Sequence, residues 1–125
     1  MSVILEAPDG RSLKVNAWNW GVLHHLVEQA GVFPDEVWVP KRYNGGGALD
    51  VDQVTRLADF LSDKVVPLIA RGERMFFDGD TTDVPDDGTF YRAEEELWKN
   101  YSLQRDVLDD VIEFLRAAGG SVIVH

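Results

Sequence analysis

The chain has 125 residues, 45% of them hydrophobic, which is enough apolar material for one domain with a buried core. It contains no cysteine, which excludes disulfides, zinc–thiolate sites and a cysteine nucleophile. Acidic residues outnumber basic ones 22 to 12, and the resulting net charge of -10 disfavours nucleic acid and anionic lipid while favouring basic partners.

The opening MSVILEAPDGRSLKV has no basic leader region and only a short apolar run, Val3 to Leu5. No stretch approaches the roughly 18 apolar residues of a membrane span. The expectation is a cytoplasmic protein that binds neither membrane nor nucleic acid.

Val3–Glu6 and Arg11–Val15, joined by a turn carrying Pro8 and Gly10, predict a β-hairpin. Asn16 is placed to cap a helix over Ala17–Ala30, in which Trp20, Leu23, Leu26, Val27 and Ala30 recur at helical spacing and Gly31 ends the run. Trp18 and His25 fall towards the flank of that helix. Phe33 to Tyr43 has no clean period, and Glu36–Val39 reads as a short strand stopped by Pro40.

A second helix follows Asp50, whose spacing to Gln53 fits a capping box. Its stripe is Val54, Leu57, Ala58, Leu61, Val65, Leu68 and Ile69, and Pro67 should bend or end its last turn. A long acidic loop is expected at about 78–89, DGDTTDVPDDGT, followed by a helical turn or two over Glu94–Trp98. Ser102 is read as the cap of a last helix running to Ala118, which Gly119 and Gly120 terminate. Ser121–Val124 then predicts a strand able to pair with the first hairpin. The expected fold class is α+β, a single domain over 1–125 with three main helices packed against a small, mostly antiparallel sheet.

Motif tests remove several chemistries. The glycine run 45–47 is followed by Ala48, Leu49 and Asp50 rather than the lysine and hydroxyl of a phosphate-binding loop. Its role is read as a bend into the second helix, with Lys41, Arg42, Tyr43 and Asn44 forming a polar rim able to accept an anion. The aspartate loop fails the EF-hand pattern, with Thr82, Asp83 and Thr89 at its fifth, sixth and twelfth positions. His24 and His25 are adjacent, so they face different directions on a helix and do not make a metalloprotease pair. No catalytic residue, metal site or cofactor is expected.

Charge and aromatic content carry the functional expectation. Between Arg71 and Glu96 nine acids face only Arg71, Arg74 and Arg92, a net -6. Aromatic residues beside charges are common interface anchors. Trp18, Trp38 and Trp98 do not fall on one helical stripe and are read as available for a surface. The leading expectation is a non-enzymatic acidic protein-binding domain, an immunity or inhibitor protein for a basic partner. Its binding residues would be Trp38, Arg42, Tyr43, Asn44, Asp78, Asp80, Asp83, Asp86, Asp87, Glu95 and Trp98. The alternative is a small hydrolase or ligand-binding domain that uses the turn at 43–47, a histidine of 24–25 and the carboxylates of 78–87. A homodimer through exposed aromatic surface is a third expectation.

Tyr43, Asn44 and Gly46, with Phe114, Leu115, Arg116, Gly119 and Gly120, carry a further likeness. The chain resembles a group of small uncharacterised bacterial proteins with an aromatic-rich first helix, a Y-N-x-G turn and a closing F-L-R-x-x-G-G segment. That resemblance implies a stand-alone bacterial cytoplasmic domain of accessory or immunity type. It transfers no activity.

Overall fold

The computed structural model describes residues 2–43 and 46–125. Strand β1 (Ser2–Glu6) pairs antiparallel with β2 (Ser12–Asn16), from Ser2 opposite Asn16 to Glu6 opposite Ser12. Asn16 then starts α1 (Ala17–Ala30) by accepting the Asn19 backbone N–H, and Gly31 ends it at φ 64°, a left-handed geometry that suits glycine. After a break at Pro34 come the short helix α2 (Asp35–Trp38) and a 3-10 turn (Val39–Arg42). This corrects the strand expected at Glu36–Val39. Pro34 presets the entry, Asp35 and Glu36 suit the positive end of a helix, and Pro40 sits at the start of the 3-10 turn, where its missing N–H costs nothing.

The glycine-rich stretch leads into a strand that sequence reading did not anticipate, β3 (Gly47–Leu49). Helix α3 (Val51–Phe60) follows, and its capping box is complete. Asp50 accepts the Gln53 N–H at 2.8 Å, and Gln53 accepts the Asp50 N–H at 2.9 Å. The helix widens into a π-type stretch over Leu61–Val65 and tightens to a 3-10 turn over Val66–Leu68. Pro67, which cannot donate, explains the ending. Leu68 lies outside the buried stripe, being 54% exposed, because this change of winding rotates it off the face that Leu57, Leu61 and Val65 share.

A second, smaller sheet is built from β4 (Arg74–Met75), β5 (Thr81–Thr82) and β6 (Leu103–Gln104). The expected loop at 78–89 therefore contains a short strand. Helix α4 (Arg105–Ala117) has Gln104 at its N-terminus, so Ser102 is not its cap. Pairing of Leu103 and Gln104 with β4 pulls Ser102 inside, where its Oγ accepts from the Arg74 guanidinium at 3.2 Å. The last strand, β7 (Val122–Val124), pairs with β1 and β3, giving the antiparallel order β2-β1-β7-β3.

This is an α+β fold with antiparallel sheets. Alternation along the strands turns Val3, Leu5, Val15, Leu49, Val122 and Val124 inward, while Ile123 stays outside. Against them pack Val54, Leu57 and Leu61 from the α3 run and Leu108, Val111 and Leu115 from α4. Each such buried side chain contributes about 1.5–3 kcal/mol relative to exposure.

The core has an aromatic end. Trp20 and Trp38 are almost fully buried, 5.9 Å apart between ring centres, and Phe33 lies 5.5 Å from Trp38. Trp38 is thus a core residue, which corrects its reading as an exposed binding residue. The helical turn over 35–38 is what aims it inward. No helix among the described residues is long and apolar enough to cross a membrane.

Candidate functional site

The structure separates the predicted site residues into three places. The first is the interior. His24 stacks on Trp38 at 4.7 Å, and its Nε2 lies 2.8 Å from the Trp38 carbonyl, so that nitrogen carries the proton and donates. In return the Trp38 indole donates to the His24 carbonyl at 3.0 Å, and the Trp20 indole donates to the Lys41 carbonyl at 2.8 Å. Burial pushes the His24 pKa down, opposed by its bond to the Trp38 carbonyl. Lys41 also turns inward rather than joining a polar rim. Its ammonium donates to the Val37 carbonyl at 2.6 Å, and burial lowers its pKa.

These groups hold α1 to the 35–42 segment. Among the described residues neither His24 nor His25 makes an ion pair or hydrogen bond with a carboxylate of 78–87, the contact that the hydrolase reading needs. The carboxylate beside His24 is Glu28, 3.9 Å from Nδ1, and His25 instead meets the Phe77 ring edge-on at 5.4 Å. No cluster of histidine and acidic side chains among the described residues could hold a metal ion.

The second place is the acidic segment from Asp78 to Trp98. It is pinned at several points. Phe76 N–H donates to the Asp80 carbonyl, Arg74 Nε donates to the Val84 carbonyl at 3.0 Å, and Asn100 exchanges two 2.8 Å bonds with the backbone of Tyr91. Between these pins the aspartates shape local turns. Asp78, Asp86 and Asp87 accept the backbone N–H of Asp80, Gly88 and Thr89. Hydrogen bonds from Thr89 hold the Asp87 carboxyl below its ordinary range. Asp80, Asp83, Glu94 and Glu95 are exposed. Among the described residues only Glu96 of the acids in 78–96 joins an ion pair, with Lys99 at 3.1 Å.

Apolar side chains stand between these acids. Val84, Phe90, Leu97 and Trp98 are all exposed by more than two-fifths. Trp98 rests one edge on Phe76, 5.4 Å between ring centres, and leaves the rest of its indole outside. The segment thus carries exposed apolar side chains, Trp98 among them as expected, beside carboxylates of which only Glu96 is ion-paired among the described residues. Asp78, Asp80, Asp83, Asp86, Asp87, Glu95 and Trp98 all lie on this segment.

The third place is a cleft of about 260 Å³ lined by Ser2, Val3, Ala17, Trp18, Arg42, Tyr43 and Tyr101. Sequence reading pointed to Arg42 and Tyr43 but not to their companions, which come from β1, α1 and the end of the 94–100 turn. Asn44, assigned to the same group of residues, lies outside the described residues. The Arg42 guanidinium sits 5.2 Å from the Tyr43 ring centre and 6.0 Å from that of Tyr101. Trp18 meets Tyr101 edge-on at 4.9 Å and Phe90 at 5.8 Å, so the cleft borders the acidic segment.

No family model, curated protein or solved structure matches the chain.

Proposed function

We propose that this protein is a binding domain for a basic protein partner, and that the segment from Asp78 to Trp98 is its docking surface. The observation that carries this reading is the combination of exposed Val84, Phe90, Leu97 and Trp98 with carboxylates of which, among the described residues, only Glu96 joins an ion pair. Acids that shape turns without forming ion pairs among the described residues leave a negative field at the surface. That field speeds encounter with a basic partner, and the apolar groups supply the contact that slows its release. An immunity or inhibitor protein for a basic toxin or nuclease would use such a surface.

The test is affinity capture from native lysate at low salt with three baits: the wild type, Trp98→Ala, and a variant carrying Asn at 78, 80, 83, 86 and 87. Asparagine retains the side-chain oxygen that accepts the turn N–H groups, so this variant removes charge while keeping the local turns. A basic protein recovered in stoichiometric amount by the wild type, depleted on both variants and released as salt rises, is the expected outcome. Equal recovery on all three baits, or no partner under conditions that retain weak complexes, contradicts it.

A further inference from the structure

The cleft beside Arg42 has a property that its surface charge does not predict. The chain carries 22 acidic side chains, yet among the described residues none forms an ion pair with Arg42. Arg42 is only half-exposed, with its guanidinium between the rings of Tyr43 and Tyr101. Other partly covered arginines are satisfied. Arg105 pairs with Asp109 at 2.9 Å and donates to the Ile69 carbonyl, and Arg74 donates to Val84 and Ser102.

The position of Arg42 is also built. Gly21 lies in the middle of α1, where glycine costs about 1 kcal/mol relative to alanine. A Cβ at that position would stand 3.0 Å from the Tyr101 ring and 3.1 Å from Nη2 of Arg42. The glycine thus lets both groups seat directly on the helix. A cation fixed among ring faces, without a counter-charge, is organised for an anion that arrives from outside.

We infer that this cleft binds a small monocarboxylate carrying a flat apolar body. The planar guanidinium matches a carboxylate through paired N–H donors. A single fixed cation in a protein of net charge -10 suits one negative charge better than a phosphate dianion. The rings of Trp18, Tyr43 and Tyr101 provide walls for an aryl group. The volume of about 260 Å³ lies near the small end of ligand sites, which limits the occupant to about one ring and its acid group. The inference does not rest on the docking segment, since it invokes no acidic residue and needs no protein partner.

Nuclear magnetic resonance titration of the full chain tests it, with phenylacetate as probe and phenylacetamide and acetate as its neutral and ringless comparators. Saturable shifts confined to Trp18, Arg42, Tyr43, Tyr101 and their neighbours are expected, with phenylacetate bound at least about tenfold more tightly than either comparator. Arg42→Gln should lose the same factor, and Arg42→Lys, which keeps charge without the fork, should fall between. If Arg42→Gln does not fold, Tyr43→Ala takes its place: Tyr43 is 63% exposed, so its truncation leaves the core intact and should weaken phenylacetate while leaving ringless acetate unchanged. Absence of saturation, equal binding of acid and amide, or unchanged binding to Arg42→Gln or, in its place, to Tyr43→Ala overturns the inference.

Discussion

Two aromatic clusters in this protein use the same kinds of side chain to opposite ends. The 20–42 region turns Trp20, His24, Phe33 and Trp38 inward and satisfies the buried indole and imidazole N–H groups with backbone carbonyls. The 76–101 region arranges Phe76, Phe77, Phe90, Trp98 and Tyr101 near the surface, with Phe90 and Trp98 about half exposed. The first cluster is expensive to disturb because its polar atoms have no water to return to. The second gives up little on folding and leaves much of its apolar area exposed. The difference teaches that tryptophan count alone does not separate core from surface; a buried indole whose N–H meets a backbone carbonyl marks the core.

The sharpest break of that comparison is a pair of truncations. Trp38→Ala should cost about 3–5 kcal/mol of stability, since it opens a cavity and orphans the His24 carbonyl, which accepts from the indole. Trp98→Ala should cost less than about 1 kcal/mol by the same denaturant titration. The ranking reverses for partner binding, where Trp98→Ala is expected to lose on the order of 2 kcal/mol, measured by calorimetry with the captured partner. Equal stability costs at the two positions would erase the distinction.

Asp50→Ala provides a calibration outside both clusters. Loss of the capping box should cost about 1 kcal/mol, read as a lowered denaturation midpoint with an unchanged slope.

A smaller effect sharpens the buried side through pH. The folded-state pKa of His24 lies below its ordinary 6.5 because burial penalises the imidazolium. The unfolded chain therefore takes up a proton first as pH falls, so stability drops from about pH 6.5 towards the depressed folded value. His24→Gln cannot take up that proton. The stability gap between wild type and His24→Gln should be widest near pH 8 and narrow on acidification. A constant gap would show that the imidazole stays accessible to water. Smallest of all, Asn at 78, 80, 83, 86 and 87 should shift stability by less than about 1 kcal/mol, because these exposed carboxylates form no ion pair among the described residues.

The strongly punctuated elements were legible in the sequence. Asn16 and Gly31 bound α1, Asp50 with Gln53 opens α3, Pro67 ends its run, and Val122–Val124 joins the first hairpin. Where a local signal had a tertiary competitor, the reading failed. The β-branched pattern at Glu36–Val39 suggested a strand, but Pro34 and the acids after it start a helix. Ser102 had the chemistry of a cap, but pairing of the next two residues with β4 committed it to Arg74. The acids of the 78–98 segment and the exposure of Trp98 could be read directly from charge and spacing. Val84 and Leu97 could not be assigned to the surface, because they fit a core as well as a boundary. The cleft was legible only in part, through Arg42 and Tyr43 of the expected anion-accepting rim, because Val3, Trp18 and Tyr101 are distant from them in the chain. Gly21, an unfavourable residue inside an otherwise regular helix, is a further signal at the same place.

Site-specific photo-cross-linking in native cells tests the central claim most directly. A photoreactive side chain at Leu97, on the docking segment, is compared with one at Arg56, exposed on α3. The account predicts a single discrete adduct from position 97, to a basic protein, and none from position 56. No adduct from 97, or the same adducts from both positions, would contradict a docking surface on this segment.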